Sequence, residues 1–264
     1  QVIAEAAGAL VETAALDESR PNDIRPRSDL PTLGTSPLVE EYPSARLCTD
    51  ERYRAQTRLA FCSGVLIAPN LFMTAGHCID ANACDETSVV FRWRRRSASA
   101  ATTMTRDDVY RCNTIVTRRF DGTTTADRWV DYAIIELDRN VVGREPATVA
   151  RTRPGSSAIA TDLVTIGHPT GLPMKVSLDG RLAQYETGNR VNFLHESDSF
   201  PGNSGSPVFD SSGRVVGVQV FGPAEVEGVD ANYFYDPTSR CVRATRTSHG
   251  AGHTTGSTHT APVI

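Results

Sequence analysis

Three short segments hold the side chains that could carry out covalent chemistry. His77 stands in TAGHC directly after the apolar run LFMTA, an arrangement in which an inward-facing strand delivers an imidazole to the edge of a loop. Asp131 opens DYAIIEL, where Ala133, Ile135 and Leu137 share one strand face and Tyr132, Ile134 and Glu136 the other. Ser204 lies in PGNSGSPVF, a Gly-rich turn feeding a strand. Cleaving an amide without a metal needs a nucleophile, a base to take its proton, a carboxylate to orient that base and donors for the oxyanion. The glycines let the backbone turn so that the N–H groups of Gly202 and Ser204 point at one spot, as such donors must. Each segment also has a plainer use. A single His is more often structural, an Asp at the mouth of a strand caps a turn, and a lone G-x-S-G is an ordinary hairpin turn.

The elements that must position these residues read as strands. Runs of β-branched and apolar residues recur between turn signals: FCSGVLIA, LFMTAG, SVVFRW, WVDYAIIEL, LVTIGHP, SPVFD and VVGVQVFG. That spacing predicts an all-β protein. No alternation with long amphipathic helices argues for βαβ units, and no fixed period argues for a propeller, which leaves a sandwich or a pair of barrels. Residues 1–46 open with a mildly helical stretch, VIAEAAGALVETAAL, and continue into a Pro-, Arg- and Asp-rich stretch; they are expected to be an N-terminal extension wrapping a domain at 47–244. Residues 245–264 are rich in Gly, Thr, Ser and His and are expected to be a flexible polar tail, with His249, His253 and His259 part of that tail rather than metal ligands. The run RWRRR, with Trp93, is expected to be a solvated strand end.

The 264 residues carry a formal net charge of -4, so no general field favours nucleic acid or an anionic membrane. No apolar run approaches the ~20 residues of a membrane helix, and no signal peptide opens the chain; an exported form has already lost it. The six cysteines, Cys48, Cys62, Cys78, Cys84, Cys112 and Cys241, form no C-x-x-C pair. With very few lysines beside many arginines, they point to disulfides in an oxidising compartment rather than to zinc, hence to a secreted or periplasmic protein. No metal or cofactor is expected.

Taken in order, TAGHC, DYAIIEL and GNSGSP resemble the three signature segments of chymotrypsin-like serine peptidases, over about Cys48 to Cys241. The order His, Asp, Ser separates them from subtilisins and from α/β-hydrolases, and GNSGS lacks the last glycine of G-x-S-x-G. The closer likeness is to bacterial glutamyl-endopeptidase-type members. The resemblance implies two six-stranded antiparallel Greek-key barrels with the active site in the cleft between them. It also implies a secreted serine endopeptidase acting through an acyl-enzyme, a monomer whose partner is a protein or peptide substrate. In it Ser204 is the nucleophile, His77 the base and Asp131 its orienting carboxylate, with Gly202 and Ser204 donating to the oxyanion. It pairs Cys62 with Cys78; of the three pairings left to the other four cysteines, Cys84 with Cys112 and Cys48 with Cys241 is preferred, since it anchors the ends.

The same resemblance reads specificity. Asp198, six positions before the nucleophile, falls at the floor of the primary pocket, with Ser199 beside it. Gln219, Val220, Phe221 and Gly222 fall on the strand that binds substrate backbone, Phe221 stacking near the pocket. Gln219 stands where glutamyl endopeptidases carry His, so cleavage after Arg or Lys is expected over Glu; the alternative is that Asp198 pairs with an Arg and His195 lines the pocket. His168, in GHPTGLPMK, is expected to serve a turn. Asn203 replaces the aspartate that in trypsins receives a newly cut amino terminus, so that salt-bridge switch is not expected. Two other functions use the same residues: an esterase or self-processing hydrolase on the same triad, and a catalytically silent binding module.

Overall fold

Alternating buried and turn-rich segments become strands because each strand can hide its side chains only by curling with its neighbours around a core. A computed structural model describes residues 2–40, 42–97, 100, 102–120, 130–151, 162–185, 192–197, 199–222, 232–245 and 255–259. After a short helix α1 (Val2–Ala6) comes β1 (Ala7–Glu12), then the small pair β2 (Leu16–Asp17) and β3 (Arg25–Pro26). There follow β4 (Ala60–Ala68), β5 (Leu71–Thr74), the single-turn helix α2 (Ala81–Cys84), β6 (Thr87–Val90), β7 (Val109–Phe120) and β8 (Asp131–Leu137). Strands β1, β4, β5, β8, β7 and β6, in that spatial order, close the first barrel.

The second barrel uses β9 (Asp162–Gly167), β10 (Lys175–Tyr185), β11 (Asn192–Glu196), β12 (Pro207–Phe209) and β13 (Val215–Phe221). A hairpin of β14 (Tyr233–Asp236) and β15 (Cys241–Ala244) precedes its last strand, β16 (Thr255–His259). Its order, β10-β11-β16-β13-β12-β9, repeats that of the first barrel: in both, the third strand pairs with the sixth. This is the double-barrel, mostly β architecture expected from the sequence. One apolar cluster runs through both barrels, joining Leu66, Phe72 and Ile135 of the first to Ile166, Phe209 and Val218 of the second. Each such side chain contributes about 1.5–3 kcal/mol by leaving water, so the barrels are pressed together along a seam.

The boundaries expected at residues 46 and 245 are not those of the β architecture. Within the expected extension, β1 is a barrel strand paired on both sides, to β4 and β6, and Ala9, Leu10 and Val11 are fully buried. The alanines favour helix locally, but two open strand edges and a core outweigh a propensity worth a few tenths of a kcal/mol per residue. Within the expected tail, β16 pairs with β11 and β13. A polar segment closes the barrel because the ladder bonds come from the main chain, a contribution that side-chain polarity does not reveal. Trp93 of the RWRRR run is buried, with its indole N–H on Gly171 O at 3.2 Å, while Arg94 meets Glu5 at 2.7 Å.

Three disulfides tie the elements: Cys62–Cys78, Cys84–Cys112 and Cys48–Cys241. These are the pairings preferred from the sequence.

Removing residues 1–14 takes away β1, and the remaining chain is expected to lose cooperative urea unfolding. The single change Leu10→Ala is expected to cost roughly 2–5 kcal/mol by unfolding titration. Wild-type stability in the truncated chain would show that the first barrel does not need this strand.

Candidate active site

The imidazole is delivered by the turn after β5. A single 3-10 turn, Gly76–Cys78, follows Thr74 and Ala75. Only glycine fits at 76: a Cβ there would sit 2.2 Å from Arg119 O and 2.8 Å from Tyr132 O, so the turn rests on the ends of β7 and β8. In that register Phe120 faces Asp131. Asp131 has no exposed surface. Its Oδ1 accepts the His77 backbone N–H at 3.0 Å, and its Oδ2 lies 2.6 Å from His77 Nδ1. A carboxylate in this pair accepts, so Nδ1 carries a proton, and in the neutral imidazole Nε2 is the nitrogen with the free lone pair. The His77 side chain is 30% exposed, Arg118 Nε donates to Gly76 O at 2.7 Å, and the Phe120 ring lies 6.0 Å from the imidazole.

The Gly202–Gly205 loop comes from the second barrel. Gly202 and Gly205 have φ of 93° and 82°, left-handed values that glycine adopts without strain. A Cβ on Gly205 would meet Ser63 O at 2.1 Å and Ala75 N at 3.0 Å. The residue after Ser204 thus lies directly on the first barrel, two positions short of His77 in its chain. Ser63 N donates to Ser204 O at 2.8 Å, and the Cys78 sulfur, next to His77, is 3.7 Å from that same oxygen. The main chain at Ser204 therefore lies against the turn that carries His77. Among the described residues the N–H groups of Gly202 and Ser204 have no protein acceptor, whereas Asn203 N, Gly205 N and Ser206 N donate to Phe200 O, Gln219 O and Asn203 O.

Of the specificity residues, Asp198 lies outside the described residues. Ser199 and Gln219 are buried, and the Gln219 amide nitrogen donates to Ser199 Oγ; Gly222 borders that hydroxyl, its Cβ position 3.4 Å away. Val220 is buried, and Phe221 packs against the shared core. His195 is fully buried on β11 with its ring 5.7 Å from Phe193, and burial pushes it down to about 3. His168 begins the turn before Leu172, its Nδ1 3.0 Å from Leu172 O, and burial pushes it down to about 4. Both are neutral structural imidazoles at pH 7. Asn203 is buried against a cavity of about 660 Å³ that Phe200, Thr170, Tyr233 and Lys175 also line; burial, then Arg95, lowers Lys175 to about 8.

The motifs did not mark Ser63 and Thr170, which hold the loop by hydrogen bonds to Gly202 O and Pro201 O. The run FCSGVLIA marks Ser63 only as a hydroxyl among apolar residues, with nothing to name its partner.

Residues 62–218 match the family described as trypsin-like peptidase domain. The pro-apoptotic serine protease NMA111 of Coccidioides immitis (strain RS) is 26% identical over 124 residues, which make up 43% of this chain and 12% of that relative. The chain thus spans a small part of the curated relative's length. Among solved structures, a Glu endopeptidase in complex with MPD is similar at 20% identity and a TM-score of 0.47, over 75% of this chain and 79% of that one. The Rv3671c protease in its inactive form is similar at 17% identity and a TM-score of 0.46, over 75% and 78%.

The two buried histidines set a pH dependence. Their folded values lie below the ordinary 6.5, so the unfolded chain takes up protons first. Stability is intact above about pH 6.5 and is expected to fall as pH drops toward 4, by up to about 1.4 kcal/mol per pH unit for each histidine. Urea unfolding between about pH 7.5 and 4.5 checks this, and His168→Gln is expected to flatten the slope by roughly half. An unchanged slope in that variant overturns the assignment.

Proposed function

This chain belongs to the trypsin-like peptidase domain family, a family of serine hydrolases, and on that premise we propose that it cleaves peptide bonds through an acyl-enzyme formed on Ser204. A peptidase implies protein or peptide substrates. The observation that carries the reading is the buried Asp131 carboxylate 2.6 Å from His77 Nδ1, beside a loop that presents Ser204 at the same seam. Ser204 Oγ attacks the substrate carbonyl while its proton passes to His77 Nε2. Asp131 holds the tautomer and stabilises the imidazolium, and the same proton then goes to the leaving amine. The negative charge on the tetrahedral oxygen falls to the N–H groups of Gly202 and Ser204. Water repeats the sequence on the ester.

For the substrate we infer a preference for Arg or Lys over Glu, with Asp198 at the base of the primary pocket. The neutral Gln219–Ser199 pair and the buried neutral His195 support it, since neither offers a cation to an acidic side chain. Three disulfides suggest an extracytoplasmic protein, and we infer that it is secreted or periplasmic.

Ser204→Ala and His77→Ala are each expected to lower kcat by at least about 10⁴-fold with an unchanged unfolding midpoint, and Asp131→Asn by about 10³–10⁴-fold. Fluorophosphonate labelling of the wild type is expected at Ser204, and folded protein that fails to label argues for a binding module. Near wild-type turnover in any of the three variants refutes the triad. On matched peptides, Asp198→Ser is expected to lose Arg cleavage while keeping activity on small residues; a wild type that cuts only after Glu refutes the pocket reading.

A further inference from the structure

Four consecutive carbonyls of the nucleophile loop are all held. Pro201 O accepts from Thr170 N at 2.5 Å, Asn203 O from Ser206 N at 2.8 Å and Ser204 O from Ser63 N at 2.8 Å. Gly202 O accepts from a side chain, the Ser63 hydroxyl, at 2.8 Å. These bonds decide where the intervening N–H groups point, because a trans peptide sets its C=O and N–H in opposite directions. With Pro201 C=O turned into the 168–172 turn, Gly202 N–H faces away from it. With Asn203 C=O turned to Ser206, Ser204 N–H is likewise turned outward.

Ser63 sits at the junction of these constraints. It is fully buried on β4 of the first barrel, and its own carbonyl is pinned by Thr74 Oγ1 at 2.7 Å. Its hydroxyl donates to Gly202 O and accepts the His168 backbone N–H at 2.9 Å, using its one proton and one lone pair. His168 starts the turn whose Thr170 N–H holds Pro201. That turn is itself fastened to the first barrel, by Leu59 N on Gly171 O at 2.8 Å and by Arg58 Nε on Thr170 O at 2.9 Å. The Ser63 hydroxyl therefore ties the Gly202–Asn203 peptide to a rigid strand directly, and the Pro201–Gly202 peptide through the turn that His168 begins.

We propose that Ser63 is a positioning residue for oxyanion stabilisation, its hydroxyl keeping the Gly202 and Ser204 N–H groups convergent before substrate arrives. The proposal rests on the peptidase reading above. Without the hydroxyl, Gly202 C=O and the buried His168 N–H both lose their partner. The Gly202–Asn203 peptide, which lies between the two peptides carrying the oxyanion N–H groups, is then held among the described residues only by Asn203 N on Phe200 O, the turn that fastens Pro201 O loses one anchor, and part of the preorganisation is lost.

The test is Ser63→Ala, with kcat expressed per Ser204 titrated by fluorophosphonate so that unfolded molecules do not enter the number. A fall in kcat of about 10- to 100-fold is expected, smaller than loss of an oxyanion donor outright, with KM within about threefold. A peptide boronate, whose tetrahedral oxygen occupies the oxyanion position, is expected to bind weaker by the same factor. Thr87→Val, which removes a buried hydroxyl that donates to Ala83 O, is the control for stability alone and is expected to keep kcat and boronate affinity. Where Ser63→Ala is too unstable to titrate, Ser63→Thr and Ser63→Val, matched in size and differing in the hydroxyl, carry the same comparison. Wild-type kcat and boronate affinity in the hydroxyl-free variants, with the wild type active and labelled at Ser204, overturn the role of Ser63 alone. A wild type neither active nor labelled overturns the peptidase reading, and this proposal with it.

Discussion

A carboxylate with no exposed surface must be surrounded by donors or lose its charge, and Asp131 occupies such a place. Its two oxygens are met by two groups of one residue, the backbone N–H and Nδ1 of His77. That requirement dictates much around it. The turn bearing His77 must press against the start of β8, which leaves room only for glycine at 76. The turn must also stay there, and the Cys62–Cys78 disulfide and Arg118 both hold it. The orientation of the imidazole is thus a by-product of satisfying a buried charge.

The nucleophile loop has a different problem. Two left-handed glycines make it tight, but they are also the residues with most backbone freedom to lose. The loop keeps its shape by borrowing order from the opposite barrel, through Ser63 and through the 168–172 turn fastened to Leu59 and Arg58. A single apolar cluster running through both barrels keeps the two halves in register, so hydrogen bonds of ordinary length suffice across the seam. Closing each barrel matters for the same reason: β1 and β16 remove the edges that would otherwise let the sheets splay.

Three histidines show how far environment outweighs residue type. His77 keeps part of its side chain exposed and its Nδ1 on a carboxylate. His168 and His195 are enclosed, neutral and occupied with holding backbone or packing on Phe193. Asn203 makes a parallel point, since it brings a neutral amide to a buried position beside the nucleophile and needs no counter-charge there.

The three disulfides and the mostly β double-barrel class were legible in the chain, and the segments that hold His77, Asp131 and Ser204 stood out in it, because short motifs with strict local geometry leave their mark on neighbouring residues. TAGHC needs its glycine for a close approach, and GNSGS needs glycines for left-handed turns. Strand β1 was read as the start of a helix and β16 as part of a tail, because local composition reports propensity and polarity but not the open edges waiting to be paired by main-chain bonds. The work of Ser63 was equally invisible. A serine in a strand says nothing of its partner 139 positions away; only the packing of one barrel on the other decides which carbonyl its hydroxyl meets.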